Sequence, residues 1–175
     1  MFIDGAPFGD ASVEAYLSKL FGDDASSILT GAVEDSFGCP KRPMGERWTR
    51  IPVTRAFSPF DSWLIRRGFV PTAMEEKWFI YFHHDRLLFR RSWTGILIYD
   101  IEHHWREDRL VIQEAVVNRD AREYSETDDA HDHALLHYLI EAVLLGLPAP
   151  LPAKSELSAG QTALQAWAVA GKASI

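Results

Sequence analysis

The residues of this chain that are best suited to hold a charged ligand stand in one short run, FRRSWTG, at positions 89–95. Its two arginines can donate forked hydrogen bonds to a phosphate or a carboxylate, and its serine and threonine can add hydroxyl donors. A tryptophan between them offers a large aromatic surface. The run predicts either an anion-binding turn or a hairpin whose polar groups pair within the protein. The candidate ligand-binding residues are Arg90, Arg91, Ser92, Trp93 and Thr94.

Strand geometry separates the two arginines. Side chains alternate between the faces of a strand, so Arg90 and Arg91 point apart and do not grip one phosphate together. Arg91 shares its face with Phe89, and a charge on an apolar face needs a partner. Two alternatives follow for Arg91: a ligand anion held with the neighbouring hydroxyls, or an internal ion pair with a carboxylate such as Asp100 across the hairpin.

The glycine that ends the run has a local explanation. If Trp93 and Thr94 form the turn, Gly95 takes the left-handed position of a three-residue hairpin loop. Glycine adopts that conformation without steric cost, because it has no Cβ atom. Gly95 therefore indicates a hairpin and is not evidence of a ligand.

Paired histidines raise the question of a metal. His83–His84 and His103–His104 should meet at one edge of the sheet, but strands two positions apart are separated by roughly 9–10 Å, too far for ligands at about 2.0–2.1 Å. On the last long helix, His133 and His137 at i and i+4 can bind one metal, but Ala134 replaces the glutamate of a metalloprotease. The pair also fits the solvent-facing stripe of an amphipathic helix, so His133 and His137 are only weak candidates for metal ligands. We therefore expect no metal and no cofactor.

Other signals of catalysis are missing from the sequence. It contains no phosphate-binding glycine motif, no nucleophile elbow and no paired C-x-x-C. Cys39, the single cysteine, excludes an internal disulfide and lies beside Pro40 in a loop with no nearby base. These observations favour a non-catalytic binding or regulatory module. They leave open a small enzyme or binding protein for a phosphate- or nucleotide-like anion.

Composition places the chain among soluble globular proteins. Its 175 residues are 47% hydrophobic and 25% charged, which fits a single domain over 1–175. The net charge of −7 argues against nucleic-acid binding, although residues 41–67 hold seven bases against two acids. The first ten residues do not form a signal peptide, and the apolar stretch 134–147 is too short to span a bilayer. We therefore expect a cytoplasmic protein.

The polar run lies within a β-rich centre. Residues 47–57 alternate and contain Pro52, which predicts an edge strand because proline cannot donate to a ladder. A helix should begin at Ser58, with Pro59 in its first turn, and stop at Gly68. Four further β-rich runs, joined by short polar connections, predict an antiparallel meander: 77–82, 86–92, 96–102 and 109–117.

The remaining segments are predicted to be helical or extended. Residues 10–22 carry an amphipathic helical pattern, and 23–47 form a long loop connection. A long helix capped by Ser125 or Thr127 should end at Gly146. Its last three turns are apolar almost all round, which indicates that the helix is central or that residues 128–146 form a surface for a protein partner or homo-oligomer. Residues 148–175 are predicted to form a linker and a peripheral terminal helix.

Together these elements predict an α+β fold, an antiparallel β-meander of about four to five strands packed against helices. Three segments carry a resemblance to a family: EEKWFIYFHHDRLLFRRSWTGILIYDI (75–101), VNRD (117–120) and ETDD (126–129). They resemble a family of uncharacterised bacterial proteins that share a K-W-F-I-Y strand, an R-S-W-T-G turn and a leucine-rich helix. No activity is assigned to that family, so the resemblance implies no catalytic residues.

Overall fold

A computed structural model describes residues 31–150 and Pro152. The fold is α+β, as the sequence predicts, with five antiparallel strands in the order β1-β5-β4-β3-β2. The helices predicted near the two chain ends lie outside the described residues. In chain order the elements are a 3-10 turn at Glu34–Ser36, β1 (Trp48–Ala56), α1 (Pro59–Arg66), β2 (Trp78–His83), β3 (Arg86–Arg91), β4 (Leu97–Arg106), β5 (Arg109–Asn118) and α2 (Asp129–Tyr138), which continues as a π-helix over Leu139–Leu144.

The strand predictions are confirmed, with one difference in length. The four runs of the meander form β2 to β5, each paired with the next in antiparallel register. Strand β4 extends through the second histidine pair as far as Arg106. Strand β1 is an edge strand that pairs only with β5 among the described strands, and its Pro52 lies opposite Glu114.

The sheet is covered on both faces. On one, called the helix face here, Ile80, Phe89 and Tyr99 belong to the large core that includes the residues of α2. On the other, called the loop face, Phe79 and Tyr81 form a smaller core. The segment before β1 covers this smaller core, because residues such as Phe37, Cys39 and Met44 pack against it. A strand buried on both faces reads as a continuous apolar run, which explains the sequence of β2.

Helix α1 begins and ends where its sequence predicts. The Ser58 hydroxyl accepts a hydrogen bond from the Asp61 N–H at 3.1 Å, and Pro59 is the first helical residue. Gly68 follows the helix with φ +65°, and a side chain there would meet the Ile80 carbonyl and Ala32. A left-handed residue packed this closely must be glycine.

The start of α2 differs from the prediction. Its N-cap is Asp128, whose carboxylate accepts the Ala130 N–H at 2.9 Å, and neither Ser125 nor Thr127 has that role. The Glu126 carboxylate accepts the backbone N–H groups of Thr127 and Asp128 at 2.9 and 3.0 Å. These bonds hold the chain extended until Asp128, so the helix begins later than the serine and threonine suggest.

The apolar residues of α2 and its π-helical extension face the sheet. The apolar residues of segment 128–146, which suggested an interface between chains, are mostly buried within this chain. The burial of this segment therefore accounts for its composition without a partner chain. None of the helices formed by residues 31–150 is long and apolar enough to cross a membrane. The buried residues are Leu135, Leu136, Tyr138, Leu139, Ile140, Leu144 and Leu145.

Candidate functional site

Arg90 lies on the loop face, as strand alternation predicts. Its side chain is only 5% exposed. The guanidinium donates from Nε to the Tyr81 hydroxyl at 2.9 Å and from Nη1 to the carbonyl oxygen of Gly95 at 3.0 Å. Nη1 also donates to the Arg42 carbonyl. These bonds tie together β2, the β3–β4 turn and the loop before β1, so Arg90 has a structural role.

Arg91 lies on the helix face, opposite Trp78 in the strand register. Its Cζ atom is 4.4 Å from the centre of the Trp78 ring, a cation–π contact. Burial lowers the pKa of Arg91, while the nearby hydroxyls of Tyr99 and Tyr124 oppose that shift. Asp100 lies opposite Leu88 on the loop face, away from Arg91, and accepts a hydrogen bond from Arg86 Nε at 2.6 Å. The expected pair with Asp100 is therefore wrong, and the contact with the Trp78 ring is one that the sequence did not predict.

The hydroxyl groups of the turn form hydrogen bonds with backbone groups of the same chain. Ser92 is buried and donates from Oγ to the Glu76 carbonyl at 2.8 Å. Thr94 Oγ1 accepts the Ile96 N–H at 3.5 Å. Gly95 has φ +69°, which confirms its left-handed position, and a side chain there would overlap the Pro40 carbonyl. These groups hold the hairpin turn in place and do not converge with Arg91 on one point.

Trp93, by contrast, points outward. It is 55% exposed, and Met74 beside it is 68% exposed. The indole Nε1 donates to the Met74 carbonyl at 3.3 Å, and the rings of Phe37 and Trp93 meet in a T-shaped contact with their centres 6.1 Å apart. Phe37, Met74 and Trp93 form the Trp93 surface, in which an exposed aromatic side chain is fixed by its own contacts.

A buried polar cluster lies between α2 and the helix face. Asp132 is fully buried and accepts hydrogen bonds at Oδ1 from the hydroxyls of Tyr99 and Tyr124, each at 2.6 Å. Its Oδ2 forms an ion pair with Arg119 Nη2 at 2.6 Å, and the same nitrogen pairs with Asp129 at 2.6 Å. We call Tyr99, Arg119, Tyr124 and Asp132 the tyrosine–aspartate cluster.

The cluster keeps its two phenols protonated. Burial, and then the nearby charge of Asp132, raise the pKa of Tyr124 far above its usual value. The pKa of Tyr99 is raised as well, by burial first and then by Tyr124 and Asp132. Protonated phenols donate to the carboxylate, and the guanidinium supplies the opposite charge. Asp132 is thus a buried carboxylate with two hydrogen bonds at Oδ1 and an ion pair at Oδ2.

The VNRD segment shapes the turn that carries this cluster. The Asn118 side-chain amide donates to the Leu97 carbonyl at 3.0 Å, and its oxygen accepts the Asp120 N–H at 2.8 Å. The Asp120 carbonyl accepts the Tyr124 N–H at 2.8 Å. The Arg122 guanidinium holds the pKa of Asp120 at about 2. These bonds close a turn that brings Tyr124 back over the sheet, so the segment has a structural explanation.

The sequence interpretation missed this cluster, although one signal was available. Asp132 stands on the helical stripe that includes Leu135, Leu136 and Leu139, all of which are buried. A carboxylate at such a position must have buried partners. The partners could not be named from the sequence, because they come from β4 and from the turn after β5.

The histidines do not assemble a metal site. His133 and His137 are exposed on α2, and His83 faces Glu34 at 3.6 Å. His103 is only 7% exposed, its ring lies 4.8 Å from that of Phe82, and its Nδ1 has no hydrogen-bond partner. Within residues 31–150 no three histidine, cysteine or carboxylate side chains are grouped to hold a metal ion.

Comparisons of the chain with protein-family models, with curated proteins and with solved structures found no match. Function must therefore be inferred from two features. One is the buried tyrosine–aspartate cluster, whose groups are used within the fold. The other is the exposed Trp93 surface.

Replacing Asp132 by alanine should lower the free energy of unfolding by about 3–5 kcal/mol, because it leaves Arg119 and two phenols without their buried acceptor. Asp129→Ala is the matched control, since Asp129 pairs with the same Arg119 nitrogen but is exposed; it should cost about 1 kcal/mol or less. Urea unfolding measures both values. A similar small loss in the two variants would contradict the structural role of the cluster.

His103 should make stability depend on pH. Burial lowers its pKa from the ordinary value of 6.5. The unfolded chain therefore takes up the proton first, and the free energy of unfolding should fall as pH decreases through about 6.5. Urea unfolding between neutral and mildly acidic pH measures this loss. His103→Gln should reduce the slope, while His133→Gln, on the exposed side of α2, should leave it unchanged. An unaltered slope in His103→Gln would show that other groups cause it.

Proposed function

We propose that this protein is a non-catalytic binding module that contacts a protein partner through the Trp93 surface. One observation carries the proposal: Trp93 is 55% exposed even though its N–H is bonded and its ring is packed against Phe37. Here the contacts fix the ring and leave much of its surface to solvent.

A fixed, exposed tryptophan is well suited to binding. Tryptophan is among the residues that most often dominate the energy of protein interfaces. Association is costly when side chains must be ordered on binding, at about 0.5–1.5 kcal/mol for each rotamer-rich side chain. The bond to the Met74 carbonyl and the packing of Phe37 restrict Trp93 before a partner arrives, which lowers that cost.

Catalysis is less well supported, because the groups that could perform it are used within the fold. A general acid or base must reach the proton that it transfers. Asp132 lies on the buried side of α2, where Oδ1 accepts hydrogen bonds from Tyr99 and Tyr124 and Oδ2 forms an ion pair with Arg119. Burial keeps the two phenols protonated, and the Ser92 hydroxyl is bonded to a carbonyl.

Two alternatives, an anion-binding site and a homo-oligomer, are less favoured. A small anion held by Arg91, Ser92 and Thr94 would need groups that converge, and these contact separate parts of the chain. A homo-oligomer through residues 128–146 loses its basis, because most apolar residues of that segment are buried within the chain.

The single thiol, Cys39, is free and fits a cytoplasmic location.

The test is a selection of short random peptides on the immobilised protein, followed by affinity measurements on the enriched peptides. Trp93→Ser should weaken their binding by at least about tenfold, because hot-spot truncations typically cost more than 1 kcal/mol. Trp105→Ser is the matched control, since Trp105 is also exposed but lies at the opposite end of β4; it should leave binding unchanged.

Thermal unfolding of each variant shows whether it is folded. Trp93→Ser should keep a midpoint close to that of the unmodified protein, because much of the lost surface is exposed. The proposal is wrong if no peptide is enriched over an unrelated domain. It is equally wrong if the enriched peptides bind Trp93→Ser as tightly as the unmodified protein.

A further inference from the structure

We infer that Met74 is a site of reversible oxidation that controls binding at the Trp93 surface. In the reduced protein the Met74 thioether is part of the apolar contact, and in the oxidised protein the sulfoxide opposes that contact. This inference rests on the proposed function and adds its regulation. It comes from the position of one sulfur atom beside the exposed indole.

Met74 is the most exposed large hydrophobic residue between positions 31 and 150. It is 68% exposed, and Trp93, which follows it in exposure, is 55% exposed. Methionine has a flexible, polarisable side chain that fills gaps in cores and also serves at binding surfaces. A thioether this accessible contributes little to the packing of the fold. A dissolved oxidant can therefore reach the sulfur without any part of the protein unfolding.

The backbone of Met74 is held by bonds that do not involve its sulfur. The Glu76 carboxylate closes the turn by accepting the Thr72 N–H at 2.5 Å. The Met74 carbonyl accepts the Trp93 indole N–H at 3.3 Å and a hydrogen bond from the Lys77 ammonium at 3.1 Å. Because all these groups are remote from the thioether, its oxidation should leave the turn and the indole in place.

The other sulfur atoms of the described chain are less accessible. Met44 is partly buried and packs against the smaller core on the loop face, and so does Cys39. An oxidant must contact the sulfur that it oxidises, so exposure selects between thioethers. Of the two methionines between positions 31 and 150, Met74 is therefore the one that an oxidant reaches first.

The reaction is a two-electron oxidation of sulfur by a peroxide, such as hydrogen peroxide. A sulfur lone pair forms a bond to one peroxide oxygen, and the O–O bond breaks. The other oxygen leaves as hydroxide and takes the proton of the transferred oxygen, which gives water. The sulfur is oxidised to the sulfoxide, and the peroxide is reduced. Two thiols of a reductase reverse the step, forming a disulfide and water.

The sulfoxide makes the surface polar at its most exposed point. Its oxygen accepts hydrogen bonds from water, and an apolar group of a partner would have to displace that water. Burying a polar group without a new hydrogen bond is unfavourable. The sulfoxide has no net charge, so the loss of affinity should not depend on salt concentration. The oxidised protein should remain folded and bind its partner more weakly.

The first measurement follows the methionines of the full chain. The protein is treated with hydrogen peroxide for increasing times, and mass spectrometry of its proteolytic fragments quantifies the oxidation of Met44 and Met74. Met74 should be oxidised at least about fivefold faster, because its sulfur is the more accessible. The midpoint of thermal unfolding should stay the same when Met74 alone is oxidised. Equal rates at the two methionines would overturn the inference.

The second measurement uses a peptide enriched in the selection on the reduced protein. Fluorescence anisotropy gives its affinity before treatment and after the peroxide has been removed. Oxidation should weaken binding by about three- to tenfold, by the same factor at low and at moderate salt. Methionine sulfoxide reductases with a dithiol should restore the affinity. This recovery distinguishes the sulfoxide of Met74 from irreversible damage to Trp93.

Two variants isolate the role of the sulfur. Met74→Leu has an apolar side chain that peroxide does not oxidise, so its own affinity should be the same before and after treatment. Met74→Gln has a polar, uncharged side chain, and it should bind as weakly as the oxidised protein with no further loss on treatment. If peroxide weakens Met74→Leu as much as the unmodified protein, the cause lies at another residue and the inference is wrong.

The outcomes separate the inference from the proposed function. If the enriched peptides bind through Trp93 but oxidation of Met74 leaves their affinity unchanged, Met74 is not a regulatory site and the binding module stands. If the affinity falls and the reductases do not restore it, control by reversible oxidation is wrong. If the selection yields no peptide, both proposals are wrong.

Discussion

The arrangement of this fold depends on the buried carboxylate of Asp132. Three parts of the chain meet at that group: β4 through Tyr99, the turn after β5 through Arg119 and Tyr124, and α2, which carries Asp132 itself. A buried carboxylate that lacked these partners would cost several kcal/mol. Helix α2 can therefore dock on the sheet in only one position, and the apolar side chains that follow Asp132 along the helix are placed by that constraint.

The loop face is organised in a similar way by a charge of the opposite sign. Arg90 bonds the Tyr81 hydroxyl and the carbonyls of Arg42 and Gly95, so the loop before β1 and the β3–β4 turn are held against the sheet. On each face a buried charged group thus helps to fix the covering layer. The polar side chains that look most reactive in the sequence therefore bond to other groups of the fold. Trp93, at the turn that Arg90 fixes, faces solvent.

Local patterns predict most of this architecture, because their causes are local. Pro52 marks the edge strand, Ser58 and Pro59 start α1, and Gly95 takes the left-handed position of its turn. The N-cap of α2 could not be predicted, because it depends on competition with the Glu126 carboxylate. Alternation separates Arg90 from Arg91 correctly, but the aromatic contact of Arg91 comes from pairing across strands, because Trp78 lies opposite it. The tyrosine–aspartate cluster joins residues up to 33 positions apart, beyond the reach of any periodic pattern.

The central claim is that this protein binds with the exposed Trp93 surface and that the buried cluster only supports the fold. The most direct measurement is a nuclear magnetic resonance titration of the isotope-labelled protein with a peptide enriched in the selection. The account predicts that the Trp93 indole N–H signal shifts, together with the amides of the β3–β4 turn, while the Trp105 indole signal stays in place. Shifts at the amides of Arg119 and Tyr124 with an unmoved Trp93 signal would contradict it and identify the cluster as the binding site.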